Sequence, residues 1–204
     1  MSNYIVINGK RIDLTEDQVK LIMADSNSEN VKLSDIPVGE TFRIGANEFI
    51  VLEQFPETAA VILKDLLPDD VTFGENNRYD GSNPDQMCCE FAEDLFAAIG
   101  SENVIPHSVD LTSDDGLKDY GRVDRAVSLL TTEEYRRYVD ILDKFKPDRW
   151  WWLATPYSTA AHGNDSWVKC VSPSGRIHND DHYNNGGSGV RPFCILKSDI
   201  FVSR

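Results

Sequence analysis

Three consecutive tryptophans, Trp150, Trp151 and Trp152, constrain the fold of this chain more than any other feature. They open an apolar run that continues through Leu153 and ends at Pro156, a pattern that favours a β-strand. Successive side chains of a strand point to opposite faces, so the three indoles cannot all face one core. We therefore expect one or two of them to pack in the interior while another covers a flank or contacts a partner.

A polar segment follows the tryptophans, and a second apolar run closes it. Residues 157–188 are mostly His, Asn, Asp, Tyr, Ser and Gly, interrupted by a strand-like run at 167–171, and the closing run is 189–196. Such a composition buries too little apolar area to fold alone. A rigid frame that carries polar and aromatic loops is typical of a recognition surface. We expect the frame to be formed by Trp150, Trp151, Trp152, Trp167, Val190, Pro192 and Phe193.

Charge is unevenly distributed along the chain, whose formal net charge is -14. Residues 149–204 contain six Lys or Arg and four Asp, a net charge of +2. The remaining 14 bases and 30 acids give residues 1–148 a net charge of -16. An acidic surface repels phosphate groups, which argues against nucleic acid as a partner.

The length of 204 residues, of which 41% are hydrophobic, suits one globular domain with a small appended module. No apolar run approaches the ~20 residues that cross a bilayer, so membrane insertion is not expected. The first nine residues lack the basic start and apolar stretch of a secretion signal. We expect synthesis in the cytoplasm, with a phage virion as one route out of the cell.

The first 30 residues have the pattern of a hairpin followed by a helix. Asn8-Gly9 between two apolar runs favours a type I′ turn, and Thr15 with Gln18 forms a capping box before a short helical stripe. One interpretation is a separate module at 1–30 that mediates homo-oligomerisation or contacts a virion partner. An N-terminal extension of the main domain is an equally open alternative.

The main domain, at 36–204, alternates strands and helices. A meander is expected at 41–63, a helix from about Asn83 to Gly100, and a second helix behind a capping box at Thr131–Glu134 that ends before Pro147. More strands follow, so the expected fold class is α+β with antiparallel strands and two helices. Between the helices, Asp110, Asp114, Asp115 and Asp119 lack the spacing of a calcium loop, and we expect a solvated loop there.

The four cysteines, Cys88, Cys89, Cys170 and Cys194, show no C-x-x-C spacing. We expect them to be buried small hydrophobic residues in a reducing compartment. A catalytic thiol at Cys194 would need a base that the sequence does not place.

Several short motifs together resemble a family of bacterial and phage proteins. They are Leu-Leu-Thr-Thr-Glu-Glu-Tyr at 129–135, Trp-Trp-Leu-Ala-Thr-Pro at 151–156, Trp-Val at 167–168, Ser-Gly at 174–175 and Gly-Val-Arg-Pro at 189–192. Members of that family carry W-W-L-R-S-P and G-V-R-P motifs on a C-type lectin-like fold related to formylglycine-generating enzymes. The resemblance covers about 36–200 and implies that fold here. Ala154-Thr155 stands where Arg-Ser is usual, which puts any role of that arginine in question.

The chain also resembles the variable proteins of diversity-generating retroelements, in which reverse transcription rewrites a C-terminal region at template adenines. Asn codons rewritten in this way yield Asn, Asp, His, Tyr, Ser and Gly but not Lys, Glu, Gln, Met or Trp, and 178–188 contains only permitted residues. This resemblance implies a diversified surface at about 150–200 that binds a protein or cell-surface ligand. An ordinary solvated loop is the alternative. We expect ligand contacts from Tyr157, His162, Asn164, Asp165, His178, Asn179, Asp180, Asp181, His182, Tyr183, Asn184, Asn185 and Ser188.

Enzymatic functions find less support in the sequence. His178 and His182 are four residues apart, but a Gly-rich and Asn-rich loop would not align them on a metal, so surface histidines are expected. No nucleophile elbow, Walker A or dinucleotide-binding motif occurs. We therefore expect no catalytic residue, metal or cofactor. Two alternatives stay open: a thiol-dependent oxidase like the formylglycine-generating enzymes, using Cys170 and Cys194, and a structural virion or envelope protein.

Overall fold

The structure is a computed structural model that describes residues 4–7, 10–13, 15, 30–182 and 187–204. At the N-terminus, β1 (Tyr4–Ile7) pairs antiparallel with β2 (Lys10–Asp13), with Tyr4 opposite Asp13 and Ile7 opposite Lys10. This register leaves a two-residue connection, so the hairpin expected from the sequence is confirmed. The helix expected after Thr15 lies outside the described residues.

The other described strands and helices follow in chain order. The first seven are β3 (Asn30–Lys32), β4 (Thr41–Ile44), β5 (Asn47–Gln54), β6 (Thr58–Leu63), α1 (Asn83–Ile99), β7 (Val104–Ile105) and β8 (His107–Asp110). The next are β9 (Arg122–Arg125), β10 (Val127–Ser128), α2 (Thr132–Leu142), β11 (Trp151–Pro156), β12 (Trp167–Val171), β13 (Ile177–Asp181), β14 (Phe193–Lys197) and β15 (Phe201–Ser203). The expected α+β class is therefore correct.

An antiparallel sheet of eight strands organises the domain. Its order is β10-β14-β6-β5-β4-β15-β3, with β7 also paired to β14. The consecutive strands β4, β5 and β6 are the meander that the sequence predicts. The last strand, β15, lies between β4 and β3, with Val202 opposite Val31. The first and last strands of residues 30–204 therefore pair in one sheet. The polar segment 157–188 lies outside that sheet.

Local sequence explains both helices. Ser82 caps α1 through a hydrogen bond that its hydroxyl accepts from the Asp85 amide, Pro84 lies in the first turn, and Gly100 ends the helix at a φ of +85°. Helix α2 begins with the predicted capping box, in which Thr131 and Glu134 satisfy each other's backbone amides. Among the described residues, no helix is both long and apolar enough to cross a membrane.

Two hydrophobic clusters lie on opposite faces of the large sheet. The first, which includes α1 residues, contains Trp152, and the second, which includes α2 residues, contains Trp151. Both indoles are buried, whereas Trp150 is exposed, so the expectation drawn from the tryptophan triplet is confirmed. Because β11 contributes one indole to each cluster, it lies inside the domain and gives the polar segment that follows it a rigid starting point.

Arg191 of the Gly-Val-Arg-Pro run fixes the other end of that segment. Its buried guanidinium lies 5.3 Å from the Trp151 ring and donates to the carbonyl oxygens of Leu63, Lys64 and Phe145. Burial lowers the pKa of Arg191 to about 10, so the group remains charged at neutral pH. This arginine has a structural role, and both ends of the polar segment are anchored against Trp151.

Candidate ligand-binding surface

A small antiparallel sheet of three strands, in the order β11-β12-β13, carries the polar segment. Trp151 lies opposite Val171, Trp152 opposite Cys170, and Pro156 opposite Val168, with an irregularity in β11 between the last two pairs. Strand β13 then pairs with β12 in regular register from Val171–Ile177 to Trp167–Asp181. The sequence predicts a loop from His178 onward, and this is wrong: residues 177–181 form an outer strand of this sheet.

One face of the three-stranded sheet presents two exposed aromatic rings. Trp167 on β12 lies directly opposite Asp181 on β13, and Lys169 lies opposite Asn179, so these four side chains share a face. The Tyr157 ring joins them, since Lys169 Nζ lies 5.3 Å from its centroid and the Tyr157 amide donates to the Trp167 carbonyl oxygen at 2.9 Å. We call this set, Tyr157, Trp167, Lys169, Asn179 and Asp181, the Trp167 face.

Lys169 is the one member of the Trp167 face that is buried. Its ammonium group donates to Asp114 Oδ2 at 2.7 Å while lying beside the Tyr157 ring, so its charge is balanced within the protein. Trp167, in contrast, is 43% exposed. The sequence assigns both Trp150 and Trp167 to the frame, and this is wrong for both, because each indole is exposed.

The opposite face is partly covered by the core. His178 is exposed and packs edge-on against Trp150, with ring centroids 5.0 Å apart. Asp180 shares this face, because it lies opposite the buried Val168. His182 is buried, and its Nδ1 lies 2.7 Å from the Gly74 carbonyl oxygen. The expectation that His182 is a surface residue in contact with ligand is therefore wrong.

Residues 71–77, to which no function is assigned from the sequence, hold the backbone of the polar segment at His182 and Ser188. Val71 and Ser188 exchange backbone hydrogen bonds of 3.1 and 3.0 Å, and the Phe73 amide donates to the His182 carbonyl oxygen at 3.0 Å. The Val71 carbonyl also accepts from Trp152 Nε1 at 2.8 Å, which ties the segment to the buried strand. We call residues 71–77 the support segment.

Asn77, at the end of the support segment, is fully buried and makes four hydrogen bonds. Its backbone amide donates to the Asp165 carbonyl oxygen at 2.8 Å, and its Nδ2 donates to the carbonyl oxygens of Ser158 at 2.9 Å and Trp167 at 3.0 Å. Its Oδ1 accepts from the Tyr120 hydroxyl at 2.8 Å. The side-chain amide therefore holds the chain at both ends of the loop 158–166.

The loop between β8 and β9, which the sequence predicts to be simply solvated, is a second support. Asp115 accepts hydrogen bonds from the hydroxyls of Ser113 and Ser158, and its Oδ2 lies 3.2 Å from His162 Nδ1. These hydroxyl contacts, and then the histidine, hold the pKa of Asp115 well below its usual value. Asp119 similarly accepts from the Thr159 hydroxyl at 2.9 Å. The carboxylates thus organise the residues that follow β11.

The predicted contact residues consequently separate into groups. Tyr157, His162, Asp165, His178 and Asn179 are exposed, and Asn164, Asp180 and Asp181 are partly buried. Ser188 is buried like His182, so its predicted contact with ligand is also wrong. Tyr183, Asn184 and Asn185 lie outside the described residues.

Two glycines confine the backbone near Ser188. Gly187 has a φ of +63°, and a Cβ there would lie 2.7 Å from the Val71 carbonyl carbon. A Cβ on Gly189 would lie 2.4 Å from Leu66 Cδ1. Gly187 has no room for a side chain beside the Val71 backbone, and a side chain at position 189 would have to displace that of Leu66, so the end of the polar segment cannot vary freely.

The described residues include neither a readily ionised cysteine thiol nor a group of three metal-ligating side chains. Cys88, Cys170 and Cys194 are buried, and burial raises the pKa of the Cys170 thiol to about 12. Cys89 is exposed on α1, and its pKa is also raised. No group of three metal-ligating side chains occurs within residues 30–182 and 187–204. The arrangement is suited to non-covalent contact through aromatic rings, amides and carboxylates.

Comparison with known proteins gives no relative: no protein-family model, no curated protein and no solved structure matches this chain.

Proposed function

We propose that this chain is a non-catalytic ligand-binding protein with a C-type lectin-like frame, and that its C-terminal segment presents a diversified recognition surface to a protein or cell-surface ligand. The observation that carries the proposal is that the residues which hold this part of the chain in place differ from the residues whose side chains are exposed. Asn77 holds the backbone carbonyls of Ser158 and Trp167, and Asp115 holds the Ser158 hydroxyl. The side chains of Tyr157, Trp167 and Asn179 remain exposed.

Such a separation allows side chains to change without loss of the fold. The backbone amides and carbonyls of β12 are satisfied by β11 and β13, and the irregular stretch after β11 is held by buried side chains. An exposed side chain on such a backbone contributes little to stability, typically within ~0.5 kcal/mol. Binding specificity can therefore vary while the frame stays constant.

The antiparallel sheets and two helices agree with the C-type lectin-like frame that the sequence motifs imply. The relation to retroelement variable proteins is more specific, and it rests on the sequence motifs alone. The oxidase alternative is disfavoured, since Cys170 and Cys194 are both fully buried, and a reactive thiol must reach solvent and be readily deprotonated.

The test is to sequence this gene deeply in a growing population, together with the adjoining DNA. We expect substitutions at the exposed positions Tyr157, Asp165, His178 and Asn179, with Asn77 and Gly187 unchanged, beside a gene for a reverse transcriptase. An invariant gene without such a neighbour would overturn the diversification. Substitutions spread equally over buried and exposed positions would overturn the claim that only the exposed side chains vary.

A further inference from the structure

Strand β13 forms the outer edge of the three-stranded sheet, whose order is β11-β12-β13. In antiparallel strands, hydrogen-bonded residue pairs alternate with pairs whose backbone groups point away from each other. At one end of the β12–β13 ladder, the Ser172 amide donates to the Arg176 carbonyl oxygen at 2.9 Å. At the other end, the His182 amide donates to the Ser166 carbonyl oxygen at 2.9 Å. These two bonds fix which residues of β13 direct their backbone groups at β12.

The alternation directs the backbone N–H and C=O groups of Ile177, Asn179 and Asp181 away from β12. The Asp181 amide agrees with this direction, because it donates to Asp180 Oδ1 at 2.9 Å instead of to β12. No described residue outside the sheet donates to or accepts from the backbone of Ile177 or Asn179. Asn179 is also exposed. Two alternate residues of β13 therefore each present an N–H and a C=O at the open edge of the sheet.

Side chains on both sides of this edge belong to the candidate ligand-binding surface. Asn179 lies on the Trp167 face, whereas His178 points to the opposite side and packs on Trp150. An extended chain lying along β13 would place its side chains alternately beside Asn179 and beside His178. Such a chain would gain affinity from backbone hydrogen bonds and specificity from the side chains of the two strands.

From this edge we infer that the protein binds an extended segment of a partner protein, which adds to β13 as a fourth strand of the sheet. The inference rests on the proposed function, because it states how the same surface holds the backbone of its ligand. Every residue except proline has a backbone N–H, so these hydrogen bonds persist while the side chains of β13 vary. A second copy of this chain is disfavoured at the edge, since two copies that each carry a formal charge of -14 repel each other.

The experiment begins with a selection of random twelve-residue peptides, displayed on phage, on the immobilised full-length chain. Enriched peptides are then synthesised with one residue at a time N-methylated, which removes a backbone N–H and leaves the side chain unchanged. Binding is also measured on Asn179→Pro and, as the matched control, on Asn179→Ala. Both variants lose the asparagine side chain, but only proline lacks the N–H that points away from β12. Thermal unfolding shows whether each variant is folded.

We expect N-methylation to weaken binding about tenfold at every second residue of a short stretch of the peptide, and little at the residues between. The reason is that the backbone groups of a strand face a given neighbour only at alternate residues. Asn179→Pro should bind the peptides about tenfold more weakly than Asn179→Ala does. If Asn179→Pro fails to fold, the N-methylation pattern on the wild-type chain carries the test.

N-methylation effects without a two-residue period would overturn the inference and leave a surface that binds its ligand through side chains. Equal binding by folded Asn179→Pro and Asn179→Ala would do the same. A wild-type dimer that Asn179→Pro converts to a monomer, measured by size-exclusion chromatography, would show that a second copy occupies the edge and would also overturn the inference. No enrichment of peptides on the wild-type chain would overturn the proposed function and this inference with it.

Discussion

The side-chain amide of Asn77 donates a hydrogen bond of 3.0 Å to the carbonyl oxygen of Trp167, a residue 90 positions further along the chain. The same nitrogen donates to Ser158, so one buried group closes the loop that separates β11 from β12. The indole of Trp167 is exposed, while its backbone carbonyl is held by the buried Asn77. This relationship explains how a polar segment with little apolar area can keep a defined surface.

Replacing Asn77 should therefore loosen that loop. Asn77→Ala leaves the Ser158 carbonyl oxygen without its donor, at a cost of roughly 1–3 kcal/mol for an unsatisfied buried group. The Trp167 carbonyl oxygen loses one of its two donors and keeps the Tyr157 amide, and the Tyr120 hydroxyl loses the Asn77 acceptor. Urea unfolding should show lower stability, and hydrogen exchange should rise first in residues 157–167.

The isosteric variant Asn77→Asp is the matched control for shape, because a carboxylate keeps the volume but cannot donate to two carbonyl groups. It should be at least as destabilised as Asn77→Ala. Wild-type stability of Asn77→Asp at pH 7 would contradict the assignment of Asn77 as the donor that closes the loop.

Positions 178–188 should differ sharply in their tolerance of substitution. Asn179→Ser changes an exposed side chain and should alter the free energy of unfolding by less than ~0.5 kcal/mol. Gly187→Ala places a Cβ against the Val71 backbone in a left-handed conformation and should cost about 2 kcal/mol or more. Thermal unfolding of both variants tests this contrast, and equal effects would refute it.

Acid should weaken the contacts made by Asp115. Because its folded pKa is lowered, the stabilisation is complete above the unfolded value of ~3.9 and is lost as pH falls from there through the folded pKa. Urea unfolding should show a weaker loss of stability below about pH 4 for Asp115→Asn than for wild type. Asp94→Asn, on the exposed surface of α1, is the control and should follow the wild-type profile.

His107 should give a second pH dependence at higher pH. Burial lowers its pKa to about 4, and its Nε2 lies 2.8 Å from the Ser128 hydroxyl. The unfolded chain binds this proton near pH 6.5 and the folded chain only near pH 4, so stability is full above about 6.5 and falls between the two values. An NMR titration that places the pKa of His107 above 6 would contradict this account.

Local signals in the sequence were sufficient for several elements. The capping box at Thr131 defines the start of α2, and the two-residue connection after Ile7 defines the first hairpin. The tryptophan triplet required its indoles to be divided between faces, and Trp151 and Trp152 do enter separate clusters.

The features that position the surface lack such local signals. Strand β13 consists largely of His, Asn and Asp, which have low strand propensity, and it is a strand because it pairs with β12. Asn77 lies in a polar run that reads as a loop, and its partners Ser158 and Trp167 are 81 and 90 positions away. Alternation also cannot tell which face of β12 is exposed, so the sequence does not show that the Trp167 indole lies at the surface.

The central claim is that buried residues hold the backbone while exposed side chains can vary. Two combinatorial libraries test it most directly. Tyr157, His162, Asp165, His178 and Asn179 are randomised together in one library, and in a second library the same number of buried positions is randomised at Asn77, Ser158, Thr159, His182 and Ser188. Protease resistance of each displayed variant measures folding. The account predicts that most members of the first library resist protease like wild type and that most members of the second do not. Loss of resistance throughout the first library would contradict it.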